Sequence, residues 1–170
     1  VQSTDLLEKQ GFVLETVLPG MNFSDTRELT INNDVLTVIQ PNTEKEFSQY
    51  IALVCEAYDL PEWLARQILN TDFISQSNVY LYLALAEGIP VSTSMLVNTP
   101  EVAGLYWVAT GKSQRQKGYG ELVTWHAVRE ALQQGYSSVI LQASAMGEPI
   151  YQRMGFESIC RYQLWTFNAI

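Results

Sequence analysis

The stretch between residues 102 and 135 constrains the fold more than any other part of the sequence. Residues 102–109 are mostly apolar and predict a buried strand, whereas residues 118–134 predict a long helix. The turn that joins them ends in two glycines, Gly118 and Gly120, at the start of the helix. A strand that leads directly into a long helix is typical of a sheet with helices packed on its faces.

The rest of the sequence extends this pattern. From residue 35 onward, apolar runs separated by turn residues predict the order β-α-α-β-β-β-α-β-α-β, an α/β fold in which helices cover a mixed sheet. Asn42 or Thr43 caps the first helix, and Thr43 with Glu46 has the spacing of a capping box. The predicted strands are residues 35–40, 79–86, 89–97, 102–109, 138–143 and 156–167, and the predicted helices are residues 43–58, 61–69, 118–134 and 149–154.

The N-terminal segment is predicted to be an extension of this domain. Residues 1–10 predict a short helix, residues 12–18 a strand, and the polar residues 22–34 a linker with a turn at 32–34. We therefore assign residues 1–28 to the extension and residues 29–170 to one domain, a size that suits a single domain.

Composition excludes several classes of protein. Hydrophobic residues make up 47% of the chain and charged residues 16%, which is unlike intrinsic disorder. The net charge of −8 argues against a nucleic-acid partner, which would need a basic face. No apolar run approaches the roughly 20 residues of a membrane-spanning helix, so we expect no membrane partner.

Cysteine and histidine usage argues against a bound metal. The two cysteines, Cys55 and Cys160, belong to no metal-binding pattern, and there is one histidine, His126. We expect both cysteines to be reduced, as in a cytoplasmic protein, although one disulfide remains an alternative. We expect His126 to pack within the long helix rather than to act in catalysis.

Charge is distributed unevenly along the chain. Residues 1–101 carry 14 acidic and 4 basic residues, whereas residues 102–170 carry 4 acidic and 6 basic residues. Three of these bases, Lys112, Arg115 and Lys117, lie in the turn before the long helix. Such a chain could bind an anion with one half and a cation with the other, the alternative being a chance distribution.

The turn before the long helix has the chemistry of a phosphate site. The start of a helix presents free backbone N–H groups, and Gly118 and Gly120 allow a ligand to approach them closely. A P-loop is excluded because Tyr106 stands where its first glycine is needed, and a dinucleotide fingerprint is excluded by Val123. The alternative is a glycine-rich helix start without a ligand.

Two motifs resemble those of one enzyme superfamily. Arg115-x-x-Gly118-x-Gly120, after an apolar strand and before a long helix, resembles motif A of the GNAT N-acetyltransferases. Residues 141–156, which end in Tyr-x-x-x-Gly-Phe, resemble their motif B. The resemblance implies a mixed, mostly antiparallel central sheet flanked by helices on both faces, with splayed central strands. It further implies acetyl-CoA as co-substrate and no metal.

The sequence departs from motif A at two positions. Lys112 stands where the family often has proline, and Gln116 where it often has glycine. Neither position needs its side chain to bind phosphate through the backbone.

The resemblance also implies roles for individual residues. Backbone groups of residues 107–109 would contact the pantetheine arm, one of their N–H groups would polarise the thioester carbonyl, and N–H groups of residues 115–120 would hold the pyrophosphate. Tyr151 stands at the position of the family's general acid. The implied cofactor-binding residues are Trp107, Val108, Ala109, Arg115, Gln116, Lys117, Gly118, Tyr119 and Gly120.

The acceptor side is less defined. Tyr58, Asp59 and Trp63 lie in the helix pair that roofs the acceptor cleft in such proteins, so they are candidates for binding an amine. Ordinary core packing of the aromatic side chains is the alternative. The expected acceptor is a small-molecule or peptide amine, and the expected assembly is a monomer or homodimer.

The N-terminal segment repeats a later one. The same pattern occurs in residues 6–12 and 150–156: apolar, any residue, acid or amide, base, any residue, Gly, Phe, with a strand after each. Residues 1–20 are therefore expected to be the tail of a preceding GNAT-like unit, unless the likeness arises by chance.

Three functions compete. An N-acetyltransferase that acts on a primary amine in a ternary complex is the first, and a non-catalytic acyl-CoA-binding regulatory domain is the second. The third is an interaction domain without a nucleotide ligand.

Overall fold

Strands and helices follow one another in nearly the predicted order. The computed structural model describes residues 2–25 and 35–167. The helices are α1 (Gln2–Lys9), α2 (Glu44–Tyr58), α3 (Glu62–Ile68), α4 (Thr71–Ile74), α5 (Tyr119–Gln133) and α6 (Glu148–Arg153), with a 3-10 turn, η1 (Lys112–Gln114). The strands are β1 (Phe12–Phe23), β2 (Thr37–Ile39), β3 (Val79–Ala86), β4 (Ile89–Asn98), β5 (Ala103–Thr110), β6 (Val139–Gln142) and β7 (Glu157–Phe167).

The predicted elements differ from the observed ones mainly at their ends. β1 continues through Pro19 and Gly20 to Phe23 because its second half pairs with β7. α4 and η1 were not predicted, since a single turn carries no helical periodicity. The predicted turn at 32–34, most of the predicted linker and the predicted boundary at residues 28 and 29 lie outside the described residues.

The sheet confirms the predicted fold class. Its hydrogen-bonded strand order is β2-β3-β4-β5-β6-β1-β7. The β2–β3, β3–β4, β4–β5 and β1–β7 pairs are antiparallel. β5 and β6 are parallel and pair through the first two residues of each strand, so their pairing is confined to the beginning of β5.

Contacts divide the chain into two compact units. The larger unit is Phe23–Ile140. The smaller unit combines Val1–Asn22 with Leu141–Ile170. In the smaller unit β1 and β7 form a long antiparallel ribbon, whose ends are joined by the ring contact between Phe12 and Phe167.

In the larger unit, alternate side chains of β3 pack against two different helices. Leu81 and Leu83 belong to the apolar cluster that includes Tyr50 and Ile51 of α2. Tyr82, between those two leucines, makes a ring contact with His126 of α5 at 4.9 Å. Because successive strand residues point to opposite faces, α2 and α5 cover opposite faces of this part of the sheet.

The start of α2 confirms the predicted capping box. The Glu46 N–H donates to Thr43 Oγ1 at 3.2 Å, and the Thr43 N–H donates to Glu46 Oε2 at 3.1 Å. The backbone hydrogen bonds to its carboxylate lower the pKa of Glu46.

Removing this cap should destabilise the domain modestly. Replacing Thr43 by alanine leaves the Glu46 N–H without its acceptor, which costs about 1 kcal/mol of unfolding free energy. We expect a melting temperature about 2–4 °C lower. Ser137→Ala is the control, because that exposed hydroxyl has no hydrogen bond within the described residues. Equal melting curves for the two variants would contradict the capping role.

The described residues contain neither a candidate membrane-spanning helix nor a candidate metal site. No helix among them is long and apolar enough to cross a membrane. In the same part of the chain, no group of three or more His, Cys, Asp or Glu side chains could hold a metal ion.

Candidate active site

A bulge interrupts β5 midway along its length. Between Tyr106 and Ala109, the residues Trp107 and Val108 lie opposite the single residue Ser94 of β4. Trp107 has a φ of +50°, in the left-handed region that a bulky side chain rarely adopts. Such a conformation costs about 1–3 kcal/mol and persists only where neighbouring groups hold it.

Hydroxyl groups hold the backbone of the bulge. Each of three successive β5 carbonyls accepts a hydrogen bond from a side chain of α2 or β4. The pairs are Thr93 Oγ1 to the Trp107 carbonyl at 2.9 Å, Tyr58 Oη to the Val108 carbonyl at 3.1 Å, and Ser92 Oγ to the Ala109 carbonyl at 2.7 Å. Ser92 and Thr93 are fully buried, so the predicted thioester end of the site has a rigid frame.

The loop after β5 passes twice through left-handed backbone. η1 is closed by the Gln114 N–H, which donates to the Gly111 carbonyl at 2.8 Å. Gln116 then has a φ of +64° and Gly118 a φ of +79°. Gly118 is the N-cap of α5 and makes no side-chain cap, so it leaves the first turn of the helix open.

This loop presents a run of free backbone donors. Within residues 2–25 and 35–167, the N–H groups from Arg115 to Gly120 donate to no acceptor, and the first helical bond runs from the Leu122 N–H to the Gly118 carbonyl. Consecutive free donors at a helix start, together with the helix dipole, form a site for an anion.

The side chains of the loop add positive charge. Lys112, Arg115 and Lys117 are all exposed. Arg115 Nε lies 3.5 Å from the Thr110 carbonyl, and Lys117 Nζ donates to Gln114 Oε1 at 2.8 Å. Lys117 also lies 6.0 Å from the ring centre of Tyr119. These contacts hold two cations beside the free N–H groups.

Gly120 brings the start of α5 against the end of β5. A Cβ atom at Gly120 would lie 3.0 Å from Thr110 Oγ1, closer than side chains usually pack. The same hydroxyl lies 2.9 Å from Ser92 Oγ, and Thr124 Oγ1 donates to the Gly120 carbonyl at 2.8 Å. Ser92 of β4 therefore links the Ala109 carbonyl to Thr110, the residue against which Gly120 packs.

The Tyr-x-x-x-Gly-Phe motif forms a closed turn in the smaller unit. The Phe156 N–H donates to the Tyr151 carbonyl at 2.9 Å, and the two rings contact at 5.7 Å between centres. Gly155 has a φ of +93°, which lets α6 end and β7 begin. A Cβ atom at Gly147 would lie 2.9 Å from the Tyr151 ring, so glycine gives this ring its room.

The acceptor candidates have different surroundings. Tyr58 is 46% exposed, and its ring contacts Trp107 edge-on at 5.2 Å between centres. Desolvation of its hydroxyl by the surrounding protein raises the pKa of Tyr58. Asp59 ends α2 with a φ of +54° and is exposed, without an ion pair in the described chain. Trp63 is the second residue of α3 and is 63% exposed. Glu62, beside it, is bound to Arg66 at 2.8 Å.

His126 lies on α5, away from the loop. Its ring contacts Tyr82, and its Nδ1 lies 3.4 Å from Arg129 Nη2. Burial lowers the pKa of His126, because desolvation disfavours the charged imidazolium. This environment suits the packing role expected from the sequence.

Comparison with protein families decides the assignment of the chain. The model of the acetyltransferase (GNAT) domain matches residues 43–163, which include β5, the loop and α5. The chain belongs to the GNAT acetyltransferase domain family. A comparison with curated proteins finds no match.

Solved GNAT structures share the fold of this GNAT domain. A GCN5-related N-acetyltransferase from Kribbella flavida has a TM-score of 0.76 and 19% identity, over 98% of this chain and 63% of its own. One from Sphaerobacter thermophilus has a TM-score of 0.76 and 16% identity, over 96% and 55%. A predicted acetyltransferase from Clostridium acetobutylicum, solved with acetyl-CoA, has a TM-score of 0.61 and 15% identity, over 73% of this chain and 91% of its own. The chain thus spans only about half to two thirds of the length of the first two.

Sequence reasoning missed one residue at this site. Glu56 Oε1 accepts the Lys112 N–H at 2.8 Å, at the first residue of η1. The two residues are far apart in the chain, and no motif links them. The only local signal is an acidic side chain in the last turn of α2, where the helix dipole disfavours it.

Proposed function

We propose that this GNAT domain transfers an acetyl group from acetyl-CoA to a primary amine by direct attack in a ternary complex. The observation that carries the proposal is the run of free N–H groups from Arg115 to Gly120, directly after a bulged strand. A run of this kind suits a pyrophosphate, and a strand bulge next to it offers backbone groups to the rest of an extended ligand.

The residues present fit acetyl-CoA as co-substrate. The N–H groups of the loop, with Arg115 and Lys117, would hold the pyrophosphate. Backbone groups of Trp107, Val108 and Ala109 would hold the pantetheine arm, and an N–H near Val108 would act as oxyanion donor. The co-substrate supplies the activated acyl group, and the protein supplies orientation and electrostatic stabilisation.

The transfer requires two proton movements. The neutral amine nitrogen forms a bond to the thioester carbonyl carbon, and the bond from that carbon to sulfur breaks. The departing thiolate takes a proton, for which we propose the Tyr151 hydroxyl on the basis of its motif position. The amine loses a proton to a base or to water.

We propose an amine of positive overall charge as acceptor, either a small molecule or a peptide. Asp59 supports this choice, because its exposed carboxylate lies next to Tyr58, whose ring contacts the bulge at Trp107. Trp63 adds an exposed aromatic surface that suits a cation.

An acceptor screen tests the transfer directly. The protein is incubated with acetyl-CoA and a panel of primary amines, including polyamines, aminoglycosides and peptides with free N-termini or lysines, and the release of free thiol is measured. We expect release that depends on one class of amine, with the acetylated amine found by mass spectrometry. Tight acetyl-CoA binding without amine-dependent release for any member would favour a regulatory acyl-CoA-binding domain instead.

We also propose that residues 1–28 contain the tail of a preceding GNAT-like unit. α1 and β1 are joined at Gly11 with a φ of +85°, and α6 and β7 are joined at Gly155 with a φ of +93°. This shared helix–glycine–strand arrangement supports the sequence repeat. A reading frame with a GNAT-sized stretch before Val1 is expected, whereas an initiator methionine directly before Val1 would contradict the proposal.

A further inference from the structure

The last turn of α2 contacts the candidate site at two separate backbone positions. Glu56 Oε1 accepts the Lys112 N–H at 2.8 Å, where the loop begins. Tyr58 Oη donates to the Val108 carbonyl at 3.1 Å, at the bulge. One helix end therefore contacts both the strand predicted to hold the thioester and the loop predicted to hold the pyrophosphate.

Glu56 is an unexpected residue at this place. A carboxylate in the last turn of a helix interacts unfavourably with the helix dipole, and one beside a phosphate loop would repel an anionic ligand. Both effects disfavour a glutamate at position 56, so a favourable contact elsewhere must compensate for them. The hydrogen bond to Lys112 is that contact, and the bond is strengthened by the charge of its acceptor.

The neighbouring glycine, Gly111, packs closely against the same helix. A Cβ atom at Gly111 would lie 3.2 Å from Leu53 Cδ2 and 3.5 Å from Glu56 Oε2. Gly111 is itself anchored to the sheet, since its N–H donates to the Val91 carbonyl at 3.1 Å. The carboxylate thus fixes the residue that directly follows the anchored end of β5.

Tyr58 supports the strained part of the strand. Its hydroxyl bonds the carbonyl of one bulge residue, and its ring contacts the side chain of the other, Trp107, edge-on. Trp107 is the residue with the left-handed backbone, so two contacts from one side chain hold the bulge in shape.

We propose that Glu56 and Tyr58 are positioning residues, with Glu56 fixing the loop that binds the phosphates and Tyr58 fixing the bulge that receives the thioester. This inference rests on the proposed acetyl-CoA function. The two residues therefore affect different quantities: Glu56 affects the affinity for acetyl-CoA, and Tyr58 affects kcat.

Three variants with matched controls test whether Glu56 affects affinity and Tyr58 affects kcat. The dissociation constant for acetyl-CoA, kcat and the melting temperature are measured for Glu56→Ala, Glu56→Gln and Tyr58→Phe. Glu8→Ala and Glu8→Gln remove the same groups from α1, and Tyr136→Phe removes a hydroxyl without a hydrogen bond in the described chain. Amide hydrogen exchange at Lys112 reports the Glu56 contact without any ligand.

The two Glu56 variants are expected to differ in their affinity for acetyl-CoA. Glu56→Ala should weaken acetyl-CoA binding about tenfold and speed exchange of the Lys112 amide, with kcat within about twofold of wild type. Glu56→Gln keeps an oxygen acceptor and removes the negative charge, so it should bind acetyl-CoA as tightly as wild type or up to about threefold more tightly at low salt.

Tyr58→Phe should lower kcat about tenfold, with the affinity for acetyl-CoA within about twofold of wild type.

The outcomes separate this inference from the function on which it rests. A wild-type protein that fails to bind acetyl-CoA overturns both. A wild-type protein that binds, with Glu56→Ala binding as tightly or Glu56→Gln binding as weakly as Glu56→Ala, overturns the role of Glu56 alone. A Tyr58→Phe variant that loses affinity and turnover equally overturns the role of Tyr58. If Glu56→Ala does not fold, Glu56→Gln and the Lys112 exchange rates still decide the matter, because slow exchange in wild type and Glu56→Gln is required.

Discussion

Gly118→Ala should weaken acetyl-CoA binding at least about tenfold while leaving the domain folded. Gly118 has a φ of +79°, and a Cβ atom there would meet nothing within 4 Å, so the cost lies in the backbone conformation. Alanine would favour right-handed backbone at this position, and the neighbouring N–H groups would then no longer point toward the proposed phosphate site. Losing charge-assisted hydrogen bonds to a phosphate costs about 1.5–3 kcal/mol, which is about tenfold or more in affinity.

The turn between β3 and β4 offers a closely matched control. Gly88 has a φ of +78° and likewise has open space where a Cβ atom would lie. Gly88→Ala should therefore lower the melting temperature about as much as Gly118→Ala does, without changing acetyl-CoA affinity. Calorimetric titration of both variants makes the comparison. Equal affinities for the two variants would mean that the loop does not hold the ligand.

Tyr151→Phe should keep acetyl-CoA binding and lower kcat about tenfold or more, the low end for losing a general acid. Phenylalanine retains the ring contact with Phe156 and the space beside Gly147, so only the hydroxyl is lost. The measurement is kcat with the amine found in the acceptor screen, alongside a binding titration.

Tyr162→Phe is the control for this variant. It removes an exposed hydroxyl from β7 and should leave kcat unchanged. An unchanged kcat for Tyr151→Phe across the amine panel would refute the acid role. A parallel loss of binding and turnover would indicate a role in shaping the turn rather than in proton transfer.

Local pattern was enough to predict most of the elements. The strand β3 was predicted residue for residue, because an apolar run bounded by turn residues specifies both of its ends. The start of α2 followed from the capping box at Thr43, which is a contact within one turn of chain. Motif A placed the turn before α5 for the same reason, since strand, loop and helix are consecutive.

Features that depend on distant pairing could not be predicted. The bulge at Trp107 and Val108 exists only because β5 pairs with β4, whose register the sequence does not encode locally. The Glu56 contact joins α2 to a loop that follows three intervening strands. Tyr58 was predicted as a candidate for binding the amine, and its hydroxyl bond to the bulge is a further contact that only the folded sheet reveals.

We propose above all that this domain binds acetyl-CoA through the loop from Gly111 to Gly120. The most direct test is a thermal unfolding series of the wild-type protein with increasing acetyl-CoA. A ligand at 100 times its dissociation constant that binds only the folded state adds roughly 2.7 kcal/mol, which raises the melting temperature by about 5–10 °C for a chain of this size. We predict a rise of this order for the wild-type protein and about half of it or less for Gly118→Ala at the same concentration, because tenfold weaker binding leaves only about 1.4 kcal/mol of added stability. No rise at millimolar acetyl-CoA would contradict the account.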